Sequence, residues 1–114
     1  NPKLSPFGEK FMQSDPKNYT INLATLYTKE QTDQFLSEYN LTENNTFAIG
    51  FVNEPDNKYY IKLMHGIFET RNEAKNALDQ LPNILKAGQP VIETLQKKQD
   101  LFNKKGEDLH GNAK

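Results

Sequence analysis

Apolar and polar positions change their period several times along the chain, and each change marks an element. Tyr19-Thr-Ile-Asn-Leu-Ala-Thr-Leu26 alternates with period two and is rich in β-favouring residues. That predicts a strand with Ile21 and Leu23 on one face and Thr20, Asn22 and Ala24 on the other. Thr28-Lys-Glu-Gln31 has capping-box spacing and opens a helix with the stripe Phe35, Leu36, Tyr39, ending near Asn40. Residues 46–52 predict a second strand, with Phe47, Ile49 and Phe51 sharing a face. Asn53-Glu-Pro-Asp-Asn57 is a turn, and residues 58–65 form the hairpin partner. Ile61 and Leu63 fall on one face of that strand, Tyr60, Lys62 and Met64 on the other, and Gly66 is expected to end it. Thr70-Arg-Asn-Glu73 is a second capping box, and Ala74, Ala77, Leu78 and Leu81 follow at helical spacing until Pro82 stops the helix. Residues 83–88 read as a connector, 90–93 as a short fourth strand and 94–102 as a last helix anchored by Leu95 and Phe102.

The order β-α-β-β-α-β with a C-terminal helix is that of the split βαβ, ferredoxin-like α+β fold: a four-stranded antiparallel sheet with two helices on one face. The domain is expected to span 19–102. Residues 1–18, with Pro2, Pro6 and Pro16, read as a lead-in holding a helical turn around 7–12, and the polar residues 103–114 read as a frayed tail. If Ile21, Leu23, Phe47, Ile49, Phe51, Ile61 and Leu63 meet the helices, the open face carries Thr20, Asn22, Ala24, Ala48, Gly50, Tyr60, Lys62 and Met64. Small residues flanked by a ring and polar groups suit an extended, uncharged or weakly charged ligand.

Composition narrows the function. The 114 residues make one domain. With 35% hydrophobic residues, a small core forms but a deep catalytic cavity is not favoured. Fourteen Lys and Arg against 15 Asp and Glu leave a net charge of -1, which argues against a general nucleic-acid binder or a partner of strongly anionic membranes. The absence of cysteine excludes disulfides, cysteine metal sites and thiol nucleophiles. No apolar run approaches the roughly 20 residues of a membrane-spanning helix, and no signal-peptide pattern is present. The chain begins at Asn1 rather than Met, as expected of a piece excised from a longer protein whose anchor lies elsewhere. His65 and His110 are far apart and lack companions at ligand spacing, so no metal is expected. No Ser-His-Asp order or paired carboxylate points to an enzyme, and the isolated Gly66 and Gly88 make no phosphate loop, so no cofactor is expected.

Two motifs stand out. Pro16-Lys-Asn-Tyr-Thr-Ile-Asn-Leu23 is similar to the opening of a SPOR domain, where Tyr-Thr-apolar-Gln-apolar is usual. Tyr60-Ile-Lys-Leu-Met-His-Gly-Ile-Phe68, followed by Glu-Thr-Arg-Asn-Glu-Ala74, is similar to that family's second signature: a strand, Gly-x-aromatic, then a capped helix. Leu81-Pro82 and Gln89-Pro90 resemble the cell-division SPOR proteins of the DamX type, and the resemblance covers about residues 16–102. It implies a non-catalytic module that binds peptidoglycan glycan strands free of stem peptides. It also implies location in the periplasm on an inner-membrane protein, brought to the division septum, with the anchor outside this fragment. Under the resemblance, the family's sheet-face glutamine falls on Asn22, a hydroxyl residue on Thr25, an aromatic on Tyr60 and a tryptophan on Val91; Lys62 and Met64 share the face. Simple alternation turns Thr25 inward, and a bulge or strand end would bring it out. Lys62 also reads as a solvated strand lysine, and Met64 as a gap-filling rim residue. The Asn-x-Thr triplets at Asn18, Asn40 and Asn44 are chance occurrences in a bacterial chain. A monomer is expected, with glycan strands and cell-division proteins as partners. The alternative is a protein-interaction module of an envelope complex, using the last helix or a sheet edge. Single-stranded RNA binding shares the topology but needs aromatic platforms, where the expected open face has Ala48, Gly50 and Met64 with Tyr60 alone aromatic.

Overall fold

In the computed structural model, which describes residues 3–111, helix α1 (Pro6–Gln13) precedes β1 (Tyr19–Leu26), α2 (Lys29–Glu38), β2 (Thr46–Asn53) and β3 (Lys58–Phe68). Then come α3 (Arg71–Asp79), α4 (Asn83–Ala87), β4 (Val91–Thr94), α5 (Leu95–Lys105) and β5 (Glu107–Asp108). Both capping boxes form: the Thr28 and Thr70 hydroxyls accept from the backbone N–H of Gln31 and Glu73, whose side chains accept in return. The sheet order is β4-β1-β3-β2-β5, with every pairing antiparallel. The first four strands have the split βαβ order expected of an α+β fold, and the short β5 extends the sheet beyond β2.

Each face of the sheet carries its own apolar cluster. Ile21, Leu23, Ala48, Ile61 and Leu63 pack with Leu36 of α2 and with Ala77 and Leu78 of α3. On the opposite face Phe47, Ile49 and Met64 pack with Phe7 and Phe11 of α1 and with Leu95 and Phe102 of α5.

This second cluster corrects the expected facing of β2. The register sets Ala48 opposite Leu63 and Gly50 opposite Ile61, so Ala48 and Gly50 lie on the α2/α3 side. Phe47, Ile49 and Phe51 pair with Met64, Lys62 and Tyr60 on the other side. Every residue from Thr46 to Phe51 is buried. A strand covered on both faces offers no contrast from which to read its parity. Gly50 has a specific reason to be small. A side chain there would collide with the ring of Tyr59, whose hydroxyl donates to Glu107 Oε2 of β5 at 2.5 Å.

The described parts of the segments read as lead-in and tail, residues 3–18 and 103–111, pack on the sheet, and the outermost residues of both readings lie outside the described residues. Ser5 caps α1, its Oγ accepting from Gly8 N at 3.1 Å, and Pro6 occupies the first turn, where a missing N–H costs nothing. The buried Asp108 carboxylate accepts from Ser5 N and Ser5 Oγ, both at 2.8 Å, joining the two ends of the described chain at the positive end of α1. Gln99 of α5 donates to the carbonyls of Phe11 and Ser14 at 3.0 and 2.9 Å.

Strand β3 does not end at Gly66. Glycine adopts φ +75° there, and the strand shifts register against β1 and continues to Phe68. The Thr20 hydroxyl lies 2.8 Å from Gly66 O and 3.2 Å from His65 O and satisfies this irregular stretch, so Thr20 is fully buried rather than on an open face. Among the described residues no helix is long and apolar enough to cross a membrane.

Candidate functional site

Helices α1 and α5 leave part of their face uncovered, next to β1 and β4. A bulge in β1 decides what that part presents. Asn22 pairs with Met64 and Ala24 with Leu63, so two steps along β1 match one along β3. Leu23 and Ala24 both join the α2/α3 cluster, and Asn22 and Thr25 both emerge on the opposite face. Thr25 pairs with Lys62, whose Nζ donates to Thr25 Oγ1 at 2.8 Å. Across β4, Val91 pairs with Asn22 and is 55% exposed. These residues, with Gly88 and Gln89, line a recess of about 250 Å³. Gln89 sits at φ +58°, a left-handed conformation uncommon for a residue with a side chain, and turns the chain at the lip.

The polar groups are partly spoken for. Glu93 Oε2 accepts from Asn22 Nδ2 at 3.2 Å, and its Oε1 accepts from Lys98 Nζ at 2.6 Å. Among the described residues Lys62 has no carboxylate within ion-pair distance. Burial, helped by the charge of Lys98, pulls the Lys62 ammonium below the usual lysine range, while Glu93 opposes the shift.

Tyr60 lies one step along the same face, beside the recess rather than in its lining. Its ring stands edge-on to Tyr27 at 5.6 Å and to Phe51 at 6.0 Å between centroids. Its hydroxyl donates to Asp56 Oδ2, which raises the tyrosine pKa and lowers that of the carboxyl. Tyr27, 55% exposed, is a surface aromatic that sequence reasoning missed. The signal was present: once a bulge turns Thr25 outward, period two brings Tyr27 to the same side.

Of the residues expected at the site, Asn22, Thr25, Lys62 and Val91 meet in the recess and Tyr60 flanks it. Met64 is a correction. It is fully buried between the sheet and α1/α5, because helices from both ends of the chain cover the middle of the face. Among the described residues no group of three His, Cys, Asp or Glu could hold a metal ion. His65 instead rests against Thr46 Oγ1, 3.3 Å from its Nδ1. The cluster thus offers an amide, a hydroxyl, an ammonium, the half-buried ring of Tyr60 and the exposed ring of Tyr27 along one strip, groups that bind hydroxyls, amides and carboxylates of an extended ligand.

The family model of the SPOR domain matches residues 15–92. That span contains every residue lining the recess, whereas α1 and α5 lie outside it. No curated protein matches the chain.

Proposed function

The chain belongs to the SPOR domain family, and from that premise we propose that its uncovered strip of sheet binds peptidoglycan glycan strands free of stem peptides. SPOR domains are binding modules of periplasmic envelope proteins; they bind peptidoglycan and gather at division septa. In this reading the chain is a non-catalytic domain that holds an inner-membrane protein at the septal wall. It acts as a monomer, with its anchor outside the fragment.

One observation carries the assignment to this strip: the β1 bulge aligns Asn22 and Thr25 with Lys62 beside the half-buried ring of Tyr60 and the exposed ring of Tyr27. A glycan strand is extended and rich in hydroxyl and acetamido groups. Asn22 and Thr25 hydrogen-bond these groups, Tyr60 and Tyr27 cover sugar rings, and Val91 supplies apolar contact. A polymer whose charge is confined to one carboxylate per disaccharide needs no broad basic surface, in keeping with the net charge of -1.

The test is co-sedimentation with purified sacculi, before and after an amidase removes the stem peptides. Binding should rise on the stripped wall, and Tyr60→Ala should weaken it while circular dichroism stays native. Absence of binding to either wall by a folded sample refutes the function. Undiminished binding by Tyr60→Ala refutes the placement of the ring against the ligand.

A further inference from the structure

The recess contains one cation more than it neutralises. Glu93 spends its two oxygens on Asn22 and Lys98, so the negative charge near Lys62 is already engaged. Lys98 and Glu93, with side chains only 12% and 17% exposed, cancel as a pair. Lys62 remains, half-buried, and among the described residues its one hydrogen bond goes to the neutral Thr25 hydroxyl. An ammonium has three donors, so two are left for a ligand. Thr25 Oγ1 accepts from Lys62 and still has its own proton to give. Two adjacent donors, one of them charged and partly withdrawn from water, match the two oxygens of a carboxylate.

The polymer of the preceding reading has such a group at one place. A stem peptide is joined through an amide to the lactyl ether of muramic acid. Hydrolysis of that amide leaves a free carboxylate where a neutral amide stood. Resting on the glycan-binding reading, we propose that Lys62, assisted by Thr25, pairs with this lactyl carboxylate. It makes the site select stripped strands by charge and not only by the absence of peptide bulk. Asn22, held by Glu93, then faces the neighbouring acetamido group. Partial burial keeps the pair from being fully screened, which an exposed lysine would be.

The experiment uses amidase-stripped glycan strands, half of them capped as lactyl methylamides with carbodiimide and methylamine. The wild-type chain should bind uncapped strands roughly tenfold more tightly than capped ones, and the difference should shrink as salt rises. Lys62→Met should bind both forms at the capped level. Lys75→Met, on the exposed face of α3, should keep the full difference. Equal wild-type binding to both forms overturns the proposal but leaves glycan binding standing, as does loss of the difference in Lys75→Met. Failure to bind either form overturns glycan binding itself. If Lys62→Met does not fold, the comparison of capped and uncapped strands on the wild-type chain still decides.

Discussion

Phe11→Ala tests whether α1 belongs to the core. Phe11 is fully buried and stands edge-on to Phe47 with centroids 5.1 Å apart. Removing a buried phenyl group forfeits about 1.5–3 kcal/mol of transfer free energy. Loss of the edge contact adds about 0.5–1.5 kcal/mol. The cavity collapses only partly, because Phe7, Phe47 and Phe102 are held by the sheet and α5, which brings the expected loss to about 4 kcal/mol. In a domain whose total stability is about 5–15 kcal/mol, that is a large fraction. Urea unfolding followed by far-ultraviolet circular dichroism measures it: with a slope of about 1.5 kcal/mol per M, the midpoint falls by about 2–3 M. At about 4 °C per kcal/mol, the melting temperature falls by roughly 15 °C. Glu9→Ala, on the exposed side of the same helix, should stay within about 0.5 kcal/mol of wild type. A loss below about 1 kcal/mol for Phe11→Ala, as for a residue on a loose segment, would refute the packing of α1 on the sheet.

Further predictions follow from individual contacts. Gly50→Ala forces its new methyl group into the Tyr59 ring and should cost about 1–3 kcal/mol by urea unfolding; the double change Gly50→Ala, Tyr59→Ala should cost less than the sum of its parts, and strict additivity would contradict the clash. Burial, only partly opposed by a hydrogen bond with the Asn45 backbone, lowers the His65 pKa, so the folded state holds this proton less tightly than the unfolded chain does. The stability contributed is complete above the unfolded value of about 6.5 and is lost as pH falls through the folded value. Urea midpoints between about pH 7 and pH 5 should therefore decline more steeply in wild type than in His65→Gln, and equal slopes would show that burial of His65 carries no linkage. Val91→Trp places an indole on an exposed position of the recess and should tighten sacculus binding by about two- to tenfold, since an aromatic contact contributes about 0.5–1.5 kcal/mol; unchanged affinity would mean that the ligand does not pass over β4.

Some of this architecture is legible residue by residue. The caps at Thr28 and Thr70 are visible because a capping box is completed within four residues of chain. The alternation of β1 is visible because one of its faces is apolar and the other is not. The contrast fails in β2, where Phe47 and Ala48 are both fully buried, and the expected open face is assigned the wrong residues there. The outward turn of Thr25 hides for another reason: a bulge is a mismatch between two strands, and neither strand encodes it alone. Phe7 and Phe11, one helical turn apart, were available as a stripe, but prolines around them and nothing visible to pack against made the segment read as a lead-in. What covers it, Leu95 and Phe102, lies more than eighty residues away, and the clasp of Asp108 on Ser5 spans 103 residues.

The sequence by itself determined the elements, their order and the family motifs, since propensity, capping and turn chemistry act over a few neighbouring residues. Only the tertiary structure decided which part of the sheet stays uncovered, and with it that Met64 is core while Asn22, Thr25, Lys62 and Val91 share a recess. That outcome depends on α1 and α5, from opposite ends of the chain, closing over the same face, and on the register that β3 imposes on β1.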